Sequence, residues 1–289
     1  TGVFTWQPTA AQAGVHSVTI RVTDNGSPAL FAEETFTITV GAELTPSFQG
    51  LGAPVGWGSF ATEVSEDGSV VVGVLNKNGT AEAFRWTSDA GIVVLGDLPG
   101  GGFNSVAQGL SSDGSIVVGS GSLGGGITQA FRWMEGSGMV GLGTLPANNS
   151  EAFDVSADGS VIVGRNDQRA FRYTLEDGMV NLGLLPGGSF ASEANAVSAD
   201  GSVIVGYSSM TGGSAAFRWT SGGGMVSLGN LPGGLLTSQA NGVSADGTFV
   251  VGVGINASGV PEAFRWTSAE GMGGLGLPQG ANASFAVAV

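Results

Sequence analysis

Cysteine is absent from the 289-residue chain, and histidine occurs once, as His16. Without cysteine there is no disulfide framework, no thiol nucleophile and no zinc site of the Cys/His type. A histidine-based triad would have to draw on His16, in an N-terminal arm apart from most of the chain. Charge is scarce as well: 11% of residues are charged, where about 25% is usual. Lysine occurs once, as Lys77, and the balance of nine Lys+Arg against 23 Asp+Glu gives −14. So acidic a chain repels phosphate backbones, which excludes nucleic acid as a partner. No run approaches the roughly 20 apolar residues of a membrane-spanning helix.

What the chain has in excess is glycine, 53 residues. Glycine costs about 1 kcal/mol at each interior helical position relative to Ala, which disfavours long helices and coiled coils. Disorder is disfavoured too, because the 42% of hydrophobic residues can bury a core. The chain begins at Thr1 rather than Met, the mark of a processed or excised part of a longer product. Low charge with abundant Ser, Thr, Gly and Asn is common in secreted bacterial surface proteins, so an extracellular or cell-surface location is expected.

Three motifs recur five times in the same order, and a period of tens of residues decides architecture. Ser-x-Asp-Gly places aspartates at Asp67, Asp113, Asp158, Asp200 and Asp246, spaced 46, 45, 42 and 46. Ala-Phe-Arg-aromatic follows, with phenylalanines at Phe84, Phe131, Phe171, Phe217 and Phe264, spaced 47, 40, 46 and 47. Its arginines are Arg85, Arg132, Arg172, Arg218 and Arg265, and its last ring is Trp86, Trp133, Tyr173, Trp219 or Trp266. Leu-Gly with a proline close behind closes each unit. Asp-Gly between short apolar runs is a strong hairpin signal. One unit reads as four short strands: Asn195 to Ser198, Val203 to Gly206, the Ala-Phe-Arg-Trp strand, and Met225 to Leu228. Four strands in about 46 residues is the size of a β-propeller blade. A β-solenoid is the alternative, although its coils are usually shorter.

These motifs resemble the bacterial HAF-type extracellular repeat over residues 47–289. The first letter departs, with Glu82, Gln129, Arg169, Ala215 or Glu262 in place of the histidine. The resemblance implies a propeller-like, exported protein and carries no catalytic residue across.

The expectation is therefore an all-β chain, with five complete four-stranded blades and a split sixth. The repeat body covers 42–289, with units at 53–99, 100–146, 147–187, 188–233 and 234–279 and partial strands at 47–52 and 281–289. Those two loose strands could meet in the sixth blade and remove an open edge. Residues 1–41 stand outside the repeat and read as strands at Val3–Trp6, His16–Asp24 and Thr35–Val40. They resemble the end of a bacterial cadherin-like or Ig-like domain, of which 41 residues are only part. The acidic motifs that accompany Asp24 in that family's calcium sites are missing, so Ca2+ is not expected and no cofactor is expected elsewhere.

Open strand edges seek partners. Val18, Ile20, Val22, Phe36, Ile38 and Val40 in the arm, and Phe285, Val287 and Val289 at the other end, are the candidate strand-exchange segments. The functional expectation is a non-enzymatic structural or adhesion subunit of a bacterial surface fibre or layer, assembled head-to-tail by strand complementation. Its partners would be further copies of itself or neighbouring domains of a longer chain, with glycans a secondary expectation. The alternative is a carbohydrate-binding module of a longer adhesin; a propeller glycosidase or lyase ranks below both. The non-repeated acids Glu63, Glu82, Glu151, Asp154, Glu193 and Glu262 include pairs that could converge for such chemistry, yet they form no motif. The repeated aspartates are read as turn-formers, the arginines as their ion-pair partners within or between blades, and the aromatics as inter-blade packing. Asn25, Asn78, Asn148, Asn256 and Asn282 open Asn-x-Ser/Thr sequons; most such matches are chance in so Asn- and Ser-rich a chain, though they are available if a surface fibre is glycosylated.

Overall fold

The Ser-x-Asp-Gly motif builds its own turn. In a computed structural model of the chain, which describes residues 12–23, 25–40, 50–145 and 149–289, Asp67 Oδ1 accepts from Ser65 Oγ at 2.8 Å and Ser69 N at 2.9 Å. Ser65 Oγ in turn accepts from Val70 N at 2.9 Å. Gly68 takes φ of 73°, the left-handed region that a side chain resists. The same closure recurs at Asp113, Asp158, Asp200 and Asp246. These hydrogen bonds, the backbone N–H of the following Ser foremost, hold the Asp67 carboxyl down at about 2.

The expected strand Val3–Trp6, the residue Asp24 and residues 47–49 lie outside the described residues. The chain divides into two compact units, Thr1–Gly50 and Leu51–Val289. Within the first, Gly14–Thr23 and Phe31–Val40 form one antiparallel hairpin, with Val18 opposite Phe36 and His16 opposite Ile38.

The second unit holds five four-stranded antiparallel meanders. They span Gly58–Val94, Ser105–Gly141, Ser150–Gly183, Gly188–Ser227 and Ser238–Gly274. These are the five complete blades, and the β-propeller class expected from the repeat is the observed one. Each first strand carries a bulge, as between Ala61 and Glu63. Opposite it, a Cβ on Gly73 would lie 2.0 Å from the carbonyl oxygen of Phe60, so that strand position admits only glycine. Phe84, Phe131, Phe171, Phe217 and Phe264 are all fully buried. The aromatic that follows two residues later is half-buried, and Trp133, Tyr173, Trp219 and Trp266 pack onto the buried clusters.

The blades are stapled by a serine of the first strand. Ser238 Oγ accepts from Ala216 N of the preceding blade at 3.0 Å and donates to Gly229 O at 3.0 Å. Ser105, Ser150 and Ser192 repeat both bonds at the other seams. A second ladder joins the turns, from Glu66 N to Ser112 O, Ser112 N to Ala157 O, Ala157 N to Ala199 O and Ala199 N to Ala245 O.

The C-terminal segment occupies the first-strand position of the sixth sector. Ser284 Oγ accepts from Ala263 N and donates to Gly276 O, both at 2.9 Å, and Asn241 Nδ2 donates to Ala286 O at 2.8 Å. Phe285, Val287 and Val289 lie in this segment, docked on its own fifth blade, and Val18, Ile20, Val22, Phe36, Ile38 and Val40 lie in the two strands of the N-terminal hairpin.

Candidate functional site

The repeated arginines do not pair with the repeated aspartates, contrary to the sequence reading. Arg85 Nε donates to Gly114 O of the next blade at 3.2 Å. Arg172 meets Asp177 at 3.0 Å and Arg265 meets Glu270 at 2.5 Å, at the turn between third and fourth strands. Among the described residues, neither Arg132 nor Arg218 forms an ion pair, and the Arg132 Nε is buried without a partner. Each turn aspartate spends its Oδ1 on hydroxyl and backbone N–H groups of its own turn, which holds the carboxylate there. The repeat residues are thus framework. Trp57, half-buried, lies under the Lys77 ammonium at 5.6 Å.

Non-repeated acids converge in two places. The first is the axis, where Glu63, Asp154, Asn195, Asn241 and Val287 help line a cavity of about 170 Å3. Glu63 and Asp154 occupy the same position in the first strands of blades one and three. Asp154 Oδ1 accepts from Val155 N at 2.7 Å, and Oδ2 accepts from Val197 N of blade four at 2.8 Å. Burial pushes its carboxyl up to about 6; the two backbone N–H groups oppose this, and the Glu63 charge adds to it. With both oxygens engaged, Asp154 acts as a clasp between blades.

The second is a recess over blade three, about 690 Å3 in volume, within the range of ligand pockets. Its origin is a shortened hairpin. The glycine of each second strand pairs with the phenylalanine of the third, and Gly164 and Phe171 are seven residues apart. The other pairs, Gly73–Phe84, Gly119–Phe131, Gly206–Phe217 and Gly252–Phe264, are 11 or 12 apart. Losing four or five residues lowers the hairpin by two residues per strand, roughly 7 Å at 3.3 Å each. The two-residue turn Asp167–Gln168 closes it, with Asp167 at φ of 47°, a conformation that Asp tolerates better than most residues.

The recess is polar and fixed in place. Asn149 Oδ1 accepts from Thr128 N of blade two at 2.9 Å, and Asn149 N donates to Asp167 Oδ1 at 3.1 Å. Gln168 O accepts from Ser192 N of blade four at 3.0 Å, and Arg169 reaches Phe190 O on the same side. Arg165 bridges two carboxylates, Glu151 at 3.2 Å and Glu193 of blade four at 2.9 Å. Burial disfavours the Arg165 charge, but Glu193 and Glu151 outweigh it and raise the group. Burial also raises Glu193, with Arg165 pulling the other way and Glu151 pushing up. At the base, Asn166 is 3% exposed and its Oδ1 has no hydrogen-bond partner. A buried acceptor left unpaired costs about 1–3 kcal/mol.

Of the other non-repeated acids, Glu262 Oε2 accepts from Asn256 Nδ2 and its Oε1 from Gly276 N. Asn166, Asn149 and Arg165 escaped the sequence reading, although the short spacings of 42 and 40 residues around blade three marked the place. Among the described residues, no group of three or more His, Asp or Glu side chains is placed to hold a metal ion, and no helix is long and apolar enough to cross a membrane.

No protein-family model and no curated protein matches the chain. Solved structures do. TolB from Acinetobacter baumannii superposes with a TM-score of 0.52 at 15% identity, over 83% of this chain and 57% of that one. This chain thus spans little more than half of that protein's length. A putative TolB from Agrobacterium tumefaciens gives 0.51 at 19% identity, over 75% of this chain and 80% of that one. Prolyl oligopeptidase B from Galerina marginata, bound to a 35mer hydrolysis and macrocyclization substrate, gives 0.52 at 10% identity, over 90% and 43%. At these identities the likeness is one of fold. The fibre or adhesion subunit expected from the sequence is corrected here: the similar solved propellers are two TolB structures and a prolyl oligopeptidase, not fibre subunits. The glycosidase or lyase alternative gains no support, since Arg165 ties Glu151 and Glu193 together and backbone N–H groups hold Asp154.

Proposed function

We propose that the chain is a non-catalytic binding propeller whose recess over blade three holds an extended segment of polypeptide. The observation that carries this reading is the recess itself, about 690 Å3, whose polar lining is held in place by bonds to blades two and four. The lining favours a peptide over a sugar. Asn149, Gln168 and Asn181 offer amides, Arg165 and Arg169 offer guanidiniums, and no aromatic ring is among the described lining residues. Peptide backbone supplies matching donors and acceptors in regular alternation. Peptide handling by a protein of the same fold, the prolyl oligopeptidase with its 35mer, is consistent with this reading.

Screening the protein against a tiled array of ten-residue peptides, followed by titration of the best binders, tests the reading. The double variant Gln168→Ala/Asn181→Ala, which removes two exposed amides from the lining, is expected to weaken binding while leaving Tm nearly unchanged. Recovered peptides are expected intact. Binding that survives in that double variant at full strength would place the ligand elsewhere, and cleaved peptide would end the non-catalytic reading.

A further inference from the structure

Four seams of the propeller show what each blade lays on the one before it. Its Asp-Gly turn covers an apolar side chain. A Cβ on Gly114 would lie 2.5 Å from Val70 Cγ2, and Gly159, Gly201 and Gly247 sit as closely over Ile116, Val161 and Val203. Its second strand covers a leucine of the closing loop, so that Leu98 packs against Gly121 and Leu231 against Gly254. Blade five carries the same side chains, but among the described residues no turn or second strand lies over them. Phe249, at the place of Val203, is 38% exposed against 3%. Leu277, at the place of Leu231, is 37% exposed against 4%. Across the sector, Val64 of blade one is exposed, whereas its equivalents Leu110, Val155 and Val197 are buried.

The sixth sector is nevertheless begun and ended. A Cβ on Gly242 would meet Val287 O and Ala288 Cα at 3.1 Å, as one on Gly109 would meet Phe153 O and Asp154 Cα at 3.0 Å. Residues 281–289 thus hold the first-strand place. The closing Leu-Gly is represented too, for Gly52 has φ of 80°, beside 82° at Gly229 and 83° at Gly276. Among the described residues, no second or third strand stands between them.

We propose that this sector is a docking site for a β-hairpin of the repeat's own kind. That hairpin has an Asp-Gly turn to cover Phe249, an apolar strand to pair with 281–289 and cover Leu277, and an Ala-Phe-Arg-aromatic strand. Its apolar strand needs glycine opposite Phe285, because a Cβ on the corresponding Gly206 would run into the Glu193 carbonyl oxygen. A second copy of this chain has no such hairpin to give, since the second and third strands of all five blades are paired on both edges. The partner is another polypeptide bearing this repeat, bound by strand addition.

A fluorescein-labelled peptide copying residues 198–220, the turn and both middle strands of blade four, tests this against the full chain. Binding is read by anisotropy and thermal denaturation. With free peptide about a hundredfold above Kd, Tm is expected to rise by about 5–10 °C. Gly206→Val in the peptide should weaken binding about tenfold or more. Phe249→Ser/Leu277→Ser in the chain should do the same through lost apolar burial, with little change in the chain's own Tm. The same residues joined after Val289 should also raise Tm, whatever the solubility of the free peptide, and an equally long Gly/Ser extension should not. If neither the free nor the joined hairpin raises Tm, the proposal is overturned. Equal binding of the Gly206→Val peptide would overturn it by showing that no repeat-type fit is read. Dimers of the chain that exclude the peptide would overturn it in favour of a second copy.

Discussion

The seam between blades four and five and the recess over blade three are drawn from one repeat, and they treat their polar groups in opposite ways. At the seam, Ser238 makes one bond to each of two groups of the preceding blade, and Asp246 Oδ1 in the next turn accepts from Ser244 Oγ and Thr248 N. At the recess, Asn166 is buried with an idle oxygen, and Arg165 bridges Glu151 and Glu193, which hold one repeat position that Phe60, Val106 and Gln239 fill in the other blades. Positions equivalent to Arg165 hold Val74, Ser120, Tyr207 and Val253. Residues that obey the repeat therefore carry the fold, and the blade that breaks it carries the chemistry. Blade one adds a control, because its first strand has no stapled predecessor among the described residues and is exposed along its length.

The largest expected effects concern the buried core common to intact and altered blades. Phe217→Ala and Phe171→Ala should each cost about 3–5 kcal/mol in chemical denaturation. A much cheaper Phe171→Ala would show that blade three is loosely packed, making the recess a defect of packing instead of a built site.

Seam and open face separate next. A Cβ on Gly201 would lie 2.5 Å from Val161 Cγ2, whereas at Gly68 it would meet open space. Both glycines have positive φ, so Gly68→Ala should cost about 1–2 kcal/mol for the backbone alone, and Gly201→Ala about 1–3 kcal/mol more for overpacking. Equal losses by thermal denaturation would mean that the turns do not pack between blades.

The axial clasp gives a pH signature. Asp154 has a folded value near 6 against 3.8, so the folded state holds the extra proton between those values. Its contribution is greatest below pH 4 and falls as pH rises toward 6, by about 2–3 kcal/mol. The turn aspartates act oppositely. Asp67 and Asp200 lie near 2, so their contribution is present above 3.8 and lost as pH falls toward 2. Stability is expected to peak near pH 4, and Asp154→Asn should flatten the limb between 4 and 6. A native profile flat from 4 to 6 would contradict the burial of that carboxylate.

The smallest difference lies between serines. Ser238→Ala strands Ala216 N and Gly229 O and should cost about 1–3 kcal/mol. Ser59→Ala, at the same position of blade one but exposed, should fall within about 0.5 kcal/mol of zero.

Much of this architecture was legible because repetition shows which residues share a role. Five Asp-Gly turns and five buried phenylalanines named the strands and the blade size. The staple was visible in principle, since Ser105, Ser150, Ser192, Ser238 and Ser284 recur in phase, but a serine in a Ser-rich chain does not announce an inter-blade bond. The arginines misled because charge complementarity suggested the turn aspartates, whose Oδ1 is held within the turn by hydroxyl and backbone N–H groups. The recess was beyond reach for a different reason. Glu151 and Glu193 are 42 residues apart, and what joins them is the side-by-side placing of two blades together with a hairpin too short to cover them.

Hydrogen exchange with and without the best-binding ten-residue peptide tests the central claim most directly. Peptide is expected to slow exchange at residues 165–169 and at Thr128, and to leave the corresponding blade-four hairpin, residues 209–214, unchanged. Protection spread equally over both hairpins, or confined to the axial strands, would contradict a binding site built where the repeat breaks.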